Sequence, residues 1–285
     1  MNGFVFSSIL VAALMHAGWN ILLKSGSDKT LEIAIANFIA ALLALLLLFN
    51  YGLPEQESFL YIFLSVALHL IYFLLVATAY RFGDLNLAYP IMRGMAPILT
   101  LLFGLIFLHE YISNSVAIGI FLVSAGVILL GLRITNSSGN HSKALIFALT
   151  NSFVIALYTL VDGYGVRLNN NAWSYVGLLM FLHGCVFLLL VLWQRHHQGI
   201  FHESLAYLRK RWLFPIIGGG CIIGSYSIAL WAMTQIPISL VAALRETSVL
   251  FAFLFGVFYL KEPLYPQRIL GILGVCLGLV LIRIN

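Results

Sequence analysis

Apolar residues run through this chain in ten long blocks, each closed by a short cluster of turn formers and charges. The blocks lie near residues 3–23, 31–50, 58–80, 87–108, 113–132, 143–165, 172–193, 212–233, 239–260 and 264–282. A helix rises about 1.5 Å per residue, so roughly 20 such residues cross the hydrocarbon core of a bilayer. The separators are SGSDKT, YGLPEQE, RFGDLN, HEYIS, RITNSSGNHS, RLNNN and TQIPI, and they carry turn or charge signals. The longest connection is Gln194 to Arg211. There Ile200, Phe201, Leu205 and Leu208 alternate with polar positions, which predicts a short amphipathic helix on the membrane surface. Its histidines, His196, His197 and His202, read as part of a solvated, positively charged loop rather than as a metal tract. The first block has no basic leader, is long for a signal sequence, and contains His16 and Asn20, so it reads as a retained helix. The pattern predicts an all-α polytopic membrane protein with ten transmembrane helices.

Composition removes the alternatives. Of 285 residues, 62% are hydrophobic and 9% are charged, against about 45–50% and about 25% in soluble domains. A soluble globule lacks the polar side chains it would need for its surface, and a disordered chain is polar rather than apolar. The net charge of +5 does not indicate a nucleic-acid partner, because the basic residues stand between the apolar blocks. They also predict orientation. Lys24, Lys29, Arg81, Arg133, Lys143, Arg195, Arg209, Lys210, Arg211, Lys261 and Arg268 all fall in or beside the loops after spans 1, 3, 5, 7 and 9. Only Arg167 and Arg283 fall at the other ends, and Arg93 and Arg245 lie inside spans. The positive-inside rule then puts the odd loops in the cytoplasm and both termini outside a cytoplasmic (inner) membrane. Cys185, Cys221 and Cys276 sit singly inside apolar blocks with no metal or disulfide spacing, so no metal and no cofactor is expected.

The second half repeats the first. With a shift of 152 residues, segment 93–130 aligns with 245–282 without a gap, and 11 of the 38 pairs are identical. These include Arg93/Arg245, Gly104/Gly256, Glu110/Glu262, Gly119/Gly271 and Gly126/Gly278. Each unit holds five spans, so the second copy enters the bilayer from the opposite face. The predicted organisation is a first unit at 1–134, a linker at 135–142 and a second, inverted unit at 143–285. Inverted repeats of this kind place a substrate site near the midplane in many secondary transporters.

The segments GLIFLHEYISNSVAIGIFLVSAGVILL and GVFYLKEPLYPQRILGILGVCLGLVLI share a Glu just past one helix, followed by a Gly-containing helix. In this the chain resembles the EamA-type unit of the drug/metabolite transporter superfamily, over nearly its whole length. The resemblance implies a central cavity lined by spans 3, 4, 8 and 9 with parts of 1, 2, 6 and 7, and peripheral supports at spans 5 and 10. It implies transport of a small molecule and leaves open amino acids, sugars, nucleotides, phosphorylated metabolites and drugs. HAGWN at 16–20 faces the divergent NSFVIALYTLVDG at 151–163 in the second unit, so the early spans differ between copies.

Charge inside hydrocarbon is costly and marks function, at about +2.5 to +3.5 kcal/mol per residue on insertion scales. Arg93 and Arg245 hold the same repeat position, about 9 Å into their helices at 1.5 Å per residue. Snorkelling to an interface is the bland alternative. The functional one is bidentate binding of a substrate carboxylate or phosphate, or a gate. Glu246 adjoins Arg245 but points about 100° away on a helix and is free to pair with another element or to carry a proton. His16, His69 and Asp162 are the other proton-coupling candidates, and His183 is a further intramembrane histidine. Trp19, Asn20, Tyr72, Tyr226 and Trp231 are candidates for an amphipathic pocket wall, with Tyr89 and Tyr158 beside them. Asn37 and Asn151 suit interhelical hydrogen bonds. Pro97 predicts a bend, and hence a hinge, beside Arg93. Glu110 and Glu262 suit pairing or capping at the interface. Gly220/Gly224 and Gly274/Gly278 are spacings that permit close helix packing.

No GxxxxGK[ST], HExxH or GxSxG sequence occurs, so neither ATP hydrolysis nor intramembrane catalysis is expected. The sequence supports a secondary active transporter of a small polar or amphipathic metabolite with an anionic group, working by alternating access with proton coupling or exchange. The alternatives are an exporter of lipid-like or drug-like amphiphiles and a passive anion-selective channel. Expected partners are the small-molecule substrate and membrane lipids, with a homodimer as a further candidate.

Overall fold

A computed structural model of the chain describes residues 2–24, 26–82, 85–131, 141–200, 206–207, 209–258 and 265–284. Glu262, Arg133, Lys261, most of the predicted linker, and Phe201, His202, Leu205 and Leu208 of the predicted surface helix lie outside the described residues.

The helices are α1 (Gly3–Lys24), α2 (Lys29–Tyr51), α3 (Gln56–Phe82), α4 (Leu85–Phe107), α5 (Asn114–Gly131), α6 (His141–Leu168), α7 (Ala172–His197), α8 (Leu213–Met233), α9 (Ile238–Arg245), α10 (Ser248–Phe258) and α11 (Pro266–Ile284). They supply ten spans of membrane-crossing length and apolarity, α9 and α10 together forming the ninth. Large apolar side chains such as Phe49, Leu74, Phe107, Leu189 and Leu270 face outward, as a lipid-facing surface requires.

The ninth span was expected to be one helix over 239–260, and this is corrected: it breaks at Glu246–Thr247. The residues RETS explain the break. Glu246 N–H and Thr247 N–H turn to carbonyls three residues back, Ala243 and Leu244, and Thr247 Oγ1 donates to Leu244 O at 2.8 Å. A hydroxyl that competes for the backbone tightens or ends a helix. Non-helical backbone at membrane depth is tolerated where protein encloses it, and Glu246, Thr247 and Ser248 are all buried. α4, by contrast, stays helical through Pro90 and Pro97.

The two five-span units interleave. α2 packs on its repeat partner α7, and α5 packs on its partner α11. α3 packs on α6 while α8 packs on α1, so each copy's first helix lies against the other copy's third. The pseudo-two-fold is sharpest between α5 and α11. A Cβ on Gly119 would lie 2.9 Å from Gly278 O, and one on Gly278 would lie 2.6 Å from Gly119 O. Gly126 and Gly271 meet reciprocally, at 2.6 Å and 2.8 Å from each other's carbonyl oxygens. Only a residue without Cβ allows these backbones to approach so closely. Gly278 therefore packs within the chain. Of the other predicted pair, Gly220 faces open space and Gly224 faces the Met15 side chain.

Candidate functional site

Three helix faces converge between the two copies. α4 presents Arg93, Ala96, Pro97 and Thr100; α6 presents Ile155, Tyr158 and Thr159; α9 and its C-terminal cap present Ala242, Arg245 and Glu246. Each set follows three- and four-residue spacing and so forms a single stripe. The cleft between them has about 20 Å³ of open volume, enough for about one water.

The two repeat-related arginines have different partners. Arg93 is buried, with Nε 3.0 Å from Glu246 Oε2 and Nη2 donating to Ser248 Oγ at 3.4 Å. The break in the ninth span makes this possible, because it turns the Glu246 carboxylate towards α4. Arg245 is half-buried and lays its guanidinium 5.3 Å from the ring centre of Tyr226, a cation–π arrangement. Among the described residues no carboxylate lies within 4 Å of Arg245. The cleft thus holds one matched ion pair and one cation whose charge is not matched by a carboxylate.

A second polar cluster adjoins the first through Tyr226. Asp162, fully buried on α6, accepts from Tyr226 Oη and from Tyr175 Oη at 3.1 Å. Tyr226 Oη also lies 3.4 Å from His69 Nε2, and His69 Nδ1 lies 2.9 Å from Ser65 O. The His69 ring packs 4.1 Å from Tyr158 and 5.3 Å from His183. α6 continues past Asp162 to Leu168, which holds this acid inside the protein.

Other predicted wall residues are placed elsewhere. Trp19 lines a separate cleft with Leu22, Glu32, Ile33, Ala36, Phe214, Pro215 and Gly218, and its Nε1 donates to His16 Nδ1 at 3.3 Å. Asn20 donates to its own helix, at His16 O, 2.7 Å. Trp231 packs edge-on against Phe4, 5.8 Å away, towards the end of α8. It follows Tyr226 by five residues, about 140° round the helix and about 7.5 Å along it, so the two cannot share one pocket wall. Tyr72 is nearer, its ring 6.0 Å from that of Tyr158. Asn37 donates to Ile33 O at 2.8 Å and Asn151 to Met92 Sδ at 3.3 Å. Tyr175, Ser65, Thr159 and Ser248 had no signal in the sequence, because hydroxyl groups are unremarkable in apolar blocks.

Both ends of the bundle are tied by charge. Glu110 accepts from Ile238 N at 2.7 Å and Ser239 N at 3.4 Å, capping α9 of the opposite copy, and pairs with Arg167 at 3.1 Å. This is the interfacial capping that its position suggested. At the other end Arg195 meets Asp28 and Arg211 meets Glu32, each at 2.6 Å. Among the described residues no group of His, Cys, Asp and Glu is arranged to hold a metal.

The sequence model of the EamA-like transporter family matches residues 4–132 and again 142–284. No curated protein sequence matches the chain. Among the solved structures 28 chains match. One of them, described only as "Crystal structure of protein", superposes with a TM-score of 0.73 at 11% identity, over 99% of this chain and 96% of its own. That likeness concerns the fold alone.

Proposed function

The chain belongs to the EamA-like transporter family, and from that premise we propose that it is a secondary active transporter for a small metabolite carrying a carboxylate or phosphate. One observation carries the anionic group: Arg245 stands at the central cleft over an aromatic ring, with no carboxylate beside it among the described residues. A guanidinium in low dielectric gains most from a bidentate anion. Tyr158 and the other aromatic rings nearby suit the apolar part of an amphipathic substrate.

Alternating access is part of the same reading. An open volume of about 20 Å³ does not admit a metabolite, so the walls must separate for binding. The inverted copies supply two ways of doing so related by the pseudo-two-fold, one towards each face of the membrane. Coupling by protons or by exchange fits a chain with no phosphate-binding loop. The excess of basic residues at the odd loops supports a topology with both termini outside the cytoplasmic membrane.

Thermal melts of the purified protein with a panel of amino acids, monocarboxylates and phosphate monoesters test the proposal. At least one anionic class should raise the melting temperature of the native chain, and Arg245→Ala should lose that rise. A charge-assisted pair contributes about 1.5–3 kcal/mol, so affinity should fall about tenfold to a hundredfold. Equal stabilisation of native and variant chains would contradict the anion site.

A further inference from the structure

The buried chain Asp162–Tyr226–His69 has one hydrogen too few for its hydrogen bonds when Asp162 is ionised and His69 is neutral. His69 Nδ1 lies 2.9 Å from Ser65 O, a carbonyl that only accepts, so Nδ1 carries a proton. Ser65 Oγ, 3.2 Å from the same nitrogen, can accept from it as well. In a neutral ring Nε2 is then an acceptor. Among the described residues the donor in reach of Nε2 is the Tyr226 hydroxyl, 3.4 Å away. That hydroxyl also donates to Asp162 Oδ2. Its single proton cannot serve both.

One added proton resolves the conflict in either of two arrangements. If Asp162 is protonated, it donates to Tyr226 Oη and Tyr226 donates to His69 Nε2. If His69 is an imidazolium, Nε2–H donates to Tyr226 Oη and Tyr226 donates to the Asp162 carboxylate. The two arrangements interconvert by moving two protons along existing hydrogen bonds.

The groups that face this chain are consistent with such a store. Tyr175 donates to Asp162 Oδ1 at 3.1 Å. The Tyr158 and His183 rings flank His69, with Tyr72 beyond Tyr158. Arg93 and Glu246 share the central cleft with Tyr158 and neutralise each other. Arg245 is the remaining cation, and it touches the ring of Tyr226. Tyr226 therefore contacts the proton store with its hydroxyl and the candidate substrate cation with its face.

We propose that Asp162, Tyr226 and His69 together hold one exchangeable proton, and that Tyr226 couples this proton to the occupancy of Arg245. The proton store stands on hydrogen-bond accounting alone, while the coupling rests on the transport reading above. Infrared spectra of the full chain in lipid nanodiscs, with isotope-labelled aspartate and histidine, test the store without a ligand. Near neutral pH the native chain should show a protonated aspartic acid, or an imidazolium that is lost in Asp162→Asn. Asp162→Asn should abolish that signal, and Tyr226→Phe should change it. The other aspartates of the sequence, Asp28 and Asp84, stand in the polar separators between apolar blocks, so a protonated aspartic acid in the native spectrum is informative even where a variant fails to fold. A native spectrum with only ionised aspartate and neutral histidine at neutral pH would overturn the proposal.

Proteoliposomes given the same panel of amino acids, monocarboxylates and phosphate monoesters test the coupling. Asp162→Asn should still exchange labelled for unlabelled compound, while accumulation driven by a proton gradient falls at least tenfold. Undiminished gradient-driven accumulation would overturn the coupling. Arg245→Ala should instead lose both activities. Loss of the infrared signal with intact anion binding and loss of anion binding with an intact signal are thus separable failures.

Discussion

At the scale of single residues, the proposed function rests on the few charges held within the spans. Arg93 and Glu246 form a buried ion pair between α4 and the break in the ninth span. Removing one partner of such a pair leaves an uncompensated charge, at a cost of about 3–5 kcal/mol, whereas replacing both by apolar groups of similar volume is often near neutral. Arg93→Met and Glu246→Leu should therefore each lower thermal stability markedly, and the double variant should recover most of it. Melting curves of the three proteins check this; additive losses would show that the pair is not coupled. Arg93, Arg245 and Glu246 were legible in the sequence because a charge inside an apolar block has few reasons to be there. Trp19 and Trp231 lie away from the central cleft, which the sequence does not show because an aromatic residue is equally at home in a pocket, at a helix contact or at the interface. Nothing in their immediate sequence says which face of the helix they occupy. Ser65 and Tyr175 were missed because a single hydroxyl costs little when it bonds locally, and only their approach to His69 and Asp162 shows their part.

At the scale of elements, two devices position the cleft. The first is the interruption at Glu246–Thr247, held open by the Thr247 hydroxyl and by Arg93, with α9 capped at its start by Glu110 of the other copy. It was not legible beforehand because the apolar block continues through it, and hydropathy does not register a turn that is paired by side chains. The second is the α5–α11 contact through Gly119, Gly126, Gly271 and Gly278. Gly271→Ala would place a Cβ 2.8 Å from Gly126 O, and overpacking of this kind costs about 1–3 kcal/mol. Gly220 has nothing within 4 Å, and Ala is favoured over Gly in a helix by about 0.8–1.0 kcal/mol. Thermal melts should therefore rank Gly220→Ala at or above the native chain and Gly271→Ala below it. The reverse order would mean that the glycine contact is not what joins the copies.

At the scale of the whole molecule, the inverted repeat was visible in sequence as matched Arg, Glu and Gly positions, and it set the fold. Its interleaving was not visible, since register alone does not say that α3 packs on α6 and α8 on α1. That arrangement places both copies' broken or proline-bearing spans at one centre. The proposed orientation, with both termini outside, rests on the distribution of basic residues. A C-terminal alkaline phosphatase fusion should be active and a C-terminal fluorescent fusion that folds only in the cytoplasm should be dark; the opposite pair of results would invert the topology.

The most direct test of a carrier with an anion clamp at Arg245 is counterflow. Proteoliposomes loaded with an excess of the compound that stabilises the protein are diluted into a trace of its labelled form. The native chain should take up label transiently above equilibrium, and Arg245→Ala should lower that uptake at least tenfold while remaining folded and inserted. Equal counterflow in native and Arg245→Ala liposomes would contradict the clamp, and simple downhill equilibration with no overshoot would contradict a carrier.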